Sequence, residues 1–391
     1  MPESRMLVAS YAFTPYNDTA GIVAAKRVRE SGRRVDVIAN ALDSIRRIDS
    51  GLTQIAGEQV DRFVPLRTPS AFSSWPSIFH YTEEGYRVFR RWETDHSYDK
   101  LYSRAQFTAS HVLAARIKLA RPDLPWVAEF SDPLSHDVLG AVRRAPWGKG
   151  LLPDLLAAGV EARGFAAPTS NNSFEWAEVL AFALADEFIF TNDLQQRFML
   201  EHSADPSLAR RVEERSRVSP HPTLPREFYD MVHSAYELPP SRVNIGYFGN
   251  FYVSRGVGLI LDAIARSPRR IRDAVALHVF TAKPEELEGE VAKLGIEDAV
   301  RVNPFVDYLE FLNLADKMDV LLVNDAVTPP SGTVNPFLPS KWSDYKGSTS
   351  KVWAVIEEGS TLAAQPGIDY RSPVEHFTAL QATLADIVRE H

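Results

Sequence analysis

Residues 335–347 read NPFLPSKWSDYKG, and the order of turn formers, cation and carboxylate within them decides the fold. The segment before them is irregular, with Pro329, Pro330, Gly332 and Pro336, and it follows an apolar run over 319–323 that reads as a strand. Pro339 and Ser340 then open a short helix. Ser340 is a good N-cap, because its hydroxyl accepts from an orphan amide of the first turn. Lys341, Asp344 and Tyr345 fall at helical spacing on one side. A further strand is predicted over 351–356. Strand, loop, helix start and strand put backbone amides, a cation and a carboxylate at one carboxyl-end edge of a parallel sheet, where α/β proteins bind phosphorylated ligands. An ordinary βαβ crossover with a polar helix fits the same spacing.

Composition narrows the class. The 391 residues are 45% hydrophobic and 24% charged, as in a soluble globular protein, and the length suits two domains. A net charge of −8 argues against a non-specific nucleic-acid binder. With no cysteine there is no disulfide, thiol nucleophile or zinc–thiolate site. The opening MPESRMLVASYAF has too short an apolar run for a signal h-region. The expectation is a cytoplasmic protein, with the inner face of the membrane as a candidate contact.

Along the first half, a strand over 6–12, a loop FTPYNDTAG over 13–21, a helix over 22–31 and a strand over 34–39 form a βαβ unit of Rossmann type. It lacks GxGxxG, so a dinucleotide pyrophosphate site is not supported. Residues 43–98 are the least regular, with aromatics beside arginines and an amphipathic helix over 83–92. Strands follow over 100–103, 126–130 and 187–191, with helices after Thr108 and over 173–184 and 193–202. Arg143, Arg144 and Lys149 lie beside Trp147 in an insertion over 134–167, which reads as a solvated segment or an anionic-surface contact. The proline-rich stretch RVSPHPTLPREFYDMVHSAYELPP marks an interdomain linker over 221–241. Strands over 243–249, 276–281 and 300–306 then alternate with helices over 257–267, 284–294 and 308–317.

The phrase FLPSKWSDYKGSTSKVWA resembles the donor-site segment of GT-B glycosyltransferases, particularly the retaining GT4 family, where a phrase like FPSKLFEYLASGKPVLA recurs. The resemblance implies that Asp344 accepts from both ribose hydroxyls of a nucleotide, since a carboxylate offers two oxygens. Many members carry a second Glu that holds the sugar ring, and here that place is Pro336. Donor-sugar contacts are then expected from the backbone at Asn335, Phe337 and Leu338. The run GNFYVSRG resembles the family's YVGRLxxEKG segment, whose Arg and Lys clamp the pyrophosphate. Gly249 opens it, Asn250 stands at the Arg and Arg255 matches the Lys. Lys341 is the expected second cation, aided by amides at Ser340. Thr281 and Phe305 follow strand ends where the family binds the base. PWVAEFSDP is similar to a phrase of bacterial GT4-like proteins of surface-polysaccharide synthesis, which implies that Asp132 and His111 face the cleft. Gly21 and Asn17 occupy the loop that meets the transferred sugar.

Together these imply an α/β protein of GT-B type, with two Rossmann-like domains facing across a cleft. An acceptor domain spans 1–220 and a nucleotide-sugar donor domain 242–375. The helix over 376–391 is a candidate to cross back to the first domain. The implied reaction moves a sugar from a nucleotide-diphosphate sugar to a hydroxyl acceptor, with no obligatory metal and no other cofactor. Arg255 and Lys341 would stabilise the leaving diphosphate, Asp344 would hold the ribose, and Asp132 or His111 would orient sugar or acceptor. Retention rests on the resemblance alone. Two alternatives stand beside it: a nucleotide-sugar 2-epimerase and a non-catalytic binding subunit.

Overall fold

Two parallel sheets organise the chain, seven-stranded within Met1–Pro222 and six-stranded within Thr223–His391. The computed structural model describes residues 5–137, 140–250, 257–328 and 335–391. The first unit contains β1 (Arg5–Ala9), β2 (Arg34–Asn40), β3 (Val60–Leu66), β4 (Lys100–Ala105), β5 (Trp126–Phe130), β6 (Glu187–Phe190) and β7 (Ser216–Val218). The second contains β8 (Val243–Phe248), β9 (Val275–Thr281), β10 (Val300–Pro304), β11 (Val320–Asn324), β12 (Lys351–Ile356) and β13 (Tyr370–Pro373). The orders are β3-β2-β1-β4-β5-β6-β7 and β10-β9-β8-β11-β12-β13. Both are doubly wound. Chain order reverses between β1 and β4 and again between β8 and β11, and such switch points are where ligands bind beyond the strand ends.

Helices cover both faces of such sheets, so central strands are buried throughout and read as apolar runs. In β5, WVAEF, every residue is buried. Trp126 is fully buried and still finds a partner, since its Nε1 donates to Ser103 Oγ at 2.8 Å. A side chain of this kind stabilises the fold by about 1.5–3 kcal/mol through apolar burial.

Local chemistry moves several predicted boundaries. Helix Thr19–Ser31 starts three residues before the predicted 22, because Asp18 caps it by accepting from the Ala20 amide at 2.9 Å. It ends on Gly32 in the left-handed conformation, φ 64°. Helix Trp75–Trp92 starts eight residues before the predicted 83, capped by Ser74 with proline in its first turn. Ser340 caps nothing with its side chain. The helix Trp342–Tyr345 is a single turn without a side-chain cap, built on bonds from the Trp342 amide to Pro339 and from the Ser343 amide to Ser340.

From Thr223 onward, the stretch predicted as a linker is a packed part of the second unit. Its helix Glu227–Asp230 buries Phe228 and Tyr229 against helix Tyr308–Lys317. Asn313 Nδ2 donates to the Tyr229 carbonyl at 2.8 Å, and Lys317 Nζ donates to the Ser234 carbonyl at 2.8 Å. Short apolar anchors spaced between prolines fix this segment without any periodic pattern. The last helix, Phe377–Glu390, buries Leu380, Leu384 and Ile387 in the second unit's own core.

An ion network lies on one face of the first sheet. Glu129 on β5 accepts from Arg27 Nε at 3.0 Å, Arg104 Nε at 3.3 Å and Tyr102 Oη at 2.8 Å. Arg27 also donates to the Ser219 and Pro220 carbonyls, at 2.6 and 3.0 Å, and Arg104 Nη2 lies 3.1 Å from His221 Nε2. The network ties the end of the first unit to its sheet.

Candidate functional site

At the carboxyl edge of the second sheet, residues at or beyond the ends of β8, β9, β10 and β11 supply the predicted groups. Gly249 follows β8 and bonds back through its amide to the Phe280 carbonyl at 3.0 Å. Asn250 bridges two strand ends: its Oδ1 accepts from the Ala282 amide at 3.2 Å, and its carbonyl accepts from Tyr247 Oη at 3.3 Å. Thr281 is buried where β9 ends. Phe305, past β10, is 41% exposed. Asn335 is buried and forms an Asx turn in which its Oδ1 accepts from the Phe337 amide at 3.0 Å, while its Nδ2 donates to the Ala326 carbonyl at 2.8 Å. The Phe337 amide, a predicted sugar contact, is therefore already used by the turn. Leu338 and Ser340 are half-buried. Arg255 lies outside the described residues.

Lys341 and Asp344 both pack against one helix, Tyr308–Lys317. Lys341 Nζ sits 4.0 Å from the centre of the Phe311 ring, a cation–π contact. Asp344 is buried and its Oδ1 accepts from Tyr308 Oη at 2.5 Å. Tyr308 and Phe311 are one turn apart on helix Tyr308–Lys317. Burial first, and then Asp344, pushes the Tyr308 phenol well above its ordinary value, so it remains a donor at neutral pH. Tyr229 Oη donates to the Asp344 carbonyl. Gly347 makes this contact fit, since a Cβ there would lie 2.1 Å from Tyr229 Oη. Sequence reading missed Tyr308 and Tyr229; the only signal for Tyr308 was its place in the first turn after a strand.

In the first unit the predicted residues separate. Gly21 sits in the first turn of its helix, where a Cβ would meet the Phe13 backbone at 2.9 Å, so glycine is required for the loop to pass. Asn17 is half-buried in that loop and its amide donates to the Arg47 carbonyl at 2.9 Å. Asp132 is half-buried immediately beyond β5. His111 belongs to the core, which corrects its predicted place at a cleft. It is fully buried, packs edge-on against Phe130 with ring centres 4.8 Å apart, and its Nδ1 lies 2.9 Å from Ser103 Oγ. Burial, with Arg104 nearby, lowers its pKa to about 3. Its helix starts at Ala109, and in that register residue 111 turns onto the sheet.

A pocket of about 280 Å³, lined by Trp342, Tyr345, Ser348 and Ser350 among others, lies between the turn that carries Lys341 and Asp344 and the start of β12. Among the described residues, no group of three or more His, Cys, Asp or Glu is placed to hold a metal ion. Nor is any described helix long and apolar enough to cross a membrane.

No family model matches the chain, and neither does any curated protein. Solved structures do. The chain is similar to Anabaena HepE, solved in complex with UDP and glucose, with a TM-score of 0.59 and 15% identity over 99% of this chain and 89% of that one. A glycosyltransferase from Rickettsia africae aligns with a TM-score of 0.58 and 11% identity over 99% and 88%. A UDP-N-acetylglucosamine 2-epimerase from Listeria monocytogenes, described as putative, aligns with a TM-score of 0.55 and 10% identity over 99% and 88%. These likenesses and the two doubly wound sheets show the GT-B fold.

Proposed function

We propose that this protein is a glycosyltransferase of GT4-like type that moves a sugar from a nucleotide-diphosphate sugar to a hydroxyl acceptor. One observation carries the reading: Lys341 and Asp344 are held by adjacent turns of a single helix at the carboxyl edge of the second sheet. HepE's complex with UDP and glucose supports a uridine nucleotide as donor. In this reading Asp344, oriented by Tyr308, holds the ribose. Lys341 and Arg255 neutralise the diphosphate as charge develops on it. Asp132 orients sugar or acceptor. Retention follows the resemblance to retaining enzymes, and no metal is required. The enzyme works in the cytoplasm and touches the inner face of the membrane through Arg143, Arg144 and Lys149, beside Leu151, which is 90% exposed.

The test starts with a thermal-shift panel of nucleotides and nucleotide sugars, followed by calorimetry with the best binder. Lys341→Met and Asp344→Asn should each weaken nucleotide binding by about 1–3 kcal/mol. Unchanged affinity in both variants removes the site. The likeness to the Listeria epimerase supports a second reading, in which free nucleotide and an epimerised sugar appear with no acceptor present. Product analysis by NMR with and without an acceptor separates the two.

A further inference from the structure

Between β3 and helix Trp75–Trp92, a polar loop presents one aromatic ring. Residues 68–74 read TPSAFSS, and Phe72 is the one large apolar side chain among them. It is 40% exposed although the loop is tied down on both sides of it. Before it, Ser70 Oγ donates to the Ala41 carbonyl at 2.9 Å, and the Ala71 amide donates to Tyr11 Oη at 3.3 Å. After it, Ser73 Oγ lies 3.0 Å from Thr108 Oγ1 and 2.7 Å from Ser173 Oγ, at the starts of helices Ala109–Ala120 and Ser173–Leu184. The Phe72 ring rests on two others. Phe107 meets it edge-on with centres 5.5 Å apart, and Phe174 is tilted against it at 5.8 Å. Phe107 is itself stacked on Tyr11 at 4.9 Å.

The ring stands at the carboxyl edge of the first sheet. Its loop leaves β3, Phe107 follows β4 and Tyr11 follows β1. Arg143 links it to the turn beyond β5. The guanidinium carbon lies 5.9 Å from the centre of the Phe72 ring, and Nη1 donates at 3.2 Å to the carbonyl of Pro133, the residue after Asp132. We propose that Phe72 is a stacking residue for the acceptor, and that the acceptor is a glycan whose sugar ring lies on the exposed part of the phenyl ring. This rests on the glycosyl-transfer reading and gives it an acceptor class.

The surroundings suit a sugar better than a hydrocarbon chain. A sugar ring has a face of C–H groups and a rim of hydroxyls, so it is held by one flat aromatic face with polar groups around it. An acyl chain needs a continuous apolar strip. Around Phe72 the loop offers Ser70, Ser73 and Ser74, with Arg143 and the Asp132–Pro133 turn on the far side of the ring. The ties at Ser70 and Ser73 matter as much. A ring that is already fixed in place loses little conformational freedom when a ligand arrives, so more of the stacking energy appears as affinity.

Three measurements on the full chain test this. Saturation-transfer NMR with a panel of methyl glycosides and disaccharides should show glycoside binding to the parent. Phe72→Leu keeps an apolar side chain against Phe107 and Phe174 but loses the flat ring, so it should weaken the best glycoside about tenfold, while Phe72→Trp should bind it about as the parent does. UDP affinity by calorimetry should stay within about twofold in both variants. Sedimentation with vesicles of phosphatidylcholine and phosphatidylglycerol should be the same for the parent and Phe72→Leu. Equal glycoside binding in the parent and Phe72→Leu, or no glycoside bound by the parent, overturns the stacking role. Loss of vesicle binding in Phe72→Leu overturns it in favour of a lipid. A parent that still binds nucleotide in those cases leaves glycosyl transfer standing, whereas a parent that binds no nucleotide or nucleotide sugar removes both.

Discussion

Glu129 and Glu178 are both buried in the first unit, one on a central strand and the other on a helix beside the loop that follows it, yet they are satisfied by different chemistry. Glu129 has two guanidinium groups and a phenol; Glu178 has the hydroxyl and the amide of Ser135. Charged donors fix a carboxylate as an ion and tie distant segments to it. Neutral donors leave the ionisation open, and burial then decides it. The first arrangement serves the fold, and the second leaves a buried carboxyl that burial raises to about 7.

The largest effect should come from breaking the charged cluster. Glu129→Ala leaves Arg27 and Arg104 buried without their carboxylate, and removing one partner of a buried pair costs about 3–5 kcal/mol. The first unit should unfold at markedly lower denaturant. The segment 219–221 is held by the same two arginines, and its Ser219 and His221 amides should gain exchange. A parent-like midpoint would mean that Glu129 is no more structural than Glu178.

A smaller effect of opposite sign is expected at Glu178. Its carboxyl ionises near 7 in the folded protein against an ordinary 4.5. A raised acid favours folding fully below pH 4.5, and that contribution is lost as pH rises through 7. Glu178→Gln removes the titration, so the variant should be the more stable at pH 8, by about 1–3 kcal/mol. Melting curves of both proteins between pH 4.5 and 8 should diverge upward for the variant. Parallel curves would mean that Glu178 is ionised throughout that range.

Legibility in the sequence followed burial. Central strands such as VAEF within β5 and VLLVN in β11 read as apolar runs and were predicted within a residue or two. The strands β3, β7 and β13 were not, and all three are edge strands. VDRFVPL and YRSP carry charges and proline, which an edge tolerates because one side of its ladder is unpaired. The site was legible where short motifs carry it, at Lys341 and Asp344. It was not legible where contacts span the chain: Tyr308 reaches Asp344 across 36 residues. His111 misled because a histidine in the first turn of a helix looks exposed until the register of that helix against the sheet is known.

Asp344 extends the comparison to the second unit, and it yields the smallest expected change. Its carboxylate is held by the Tyr308 phenol, a neutral donor like Ser135, and burial keeps that phenol protonated at every physiological pH. The bond fixes the orientation of the carboxylate. Tyr308→Phe removes one hydrogen bond and keeps the ring against Phe311, so the stability loss should be about 1 kcal/mol. If Asp344 grips the ribose, a carboxylate that has lost its orienting donor should bind nucleotide several-fold more weakly, while Tyr229→Phe, which touches only the Asp344 carbonyl, should leave affinity closer to that of the parent. Calorimetry with UDP on both variants distinguishes the two tyrosines. Equal losses would mean that the phenols only shape the turn, and Asp344 would then join Glu129 as a carboxylate kept for the fold.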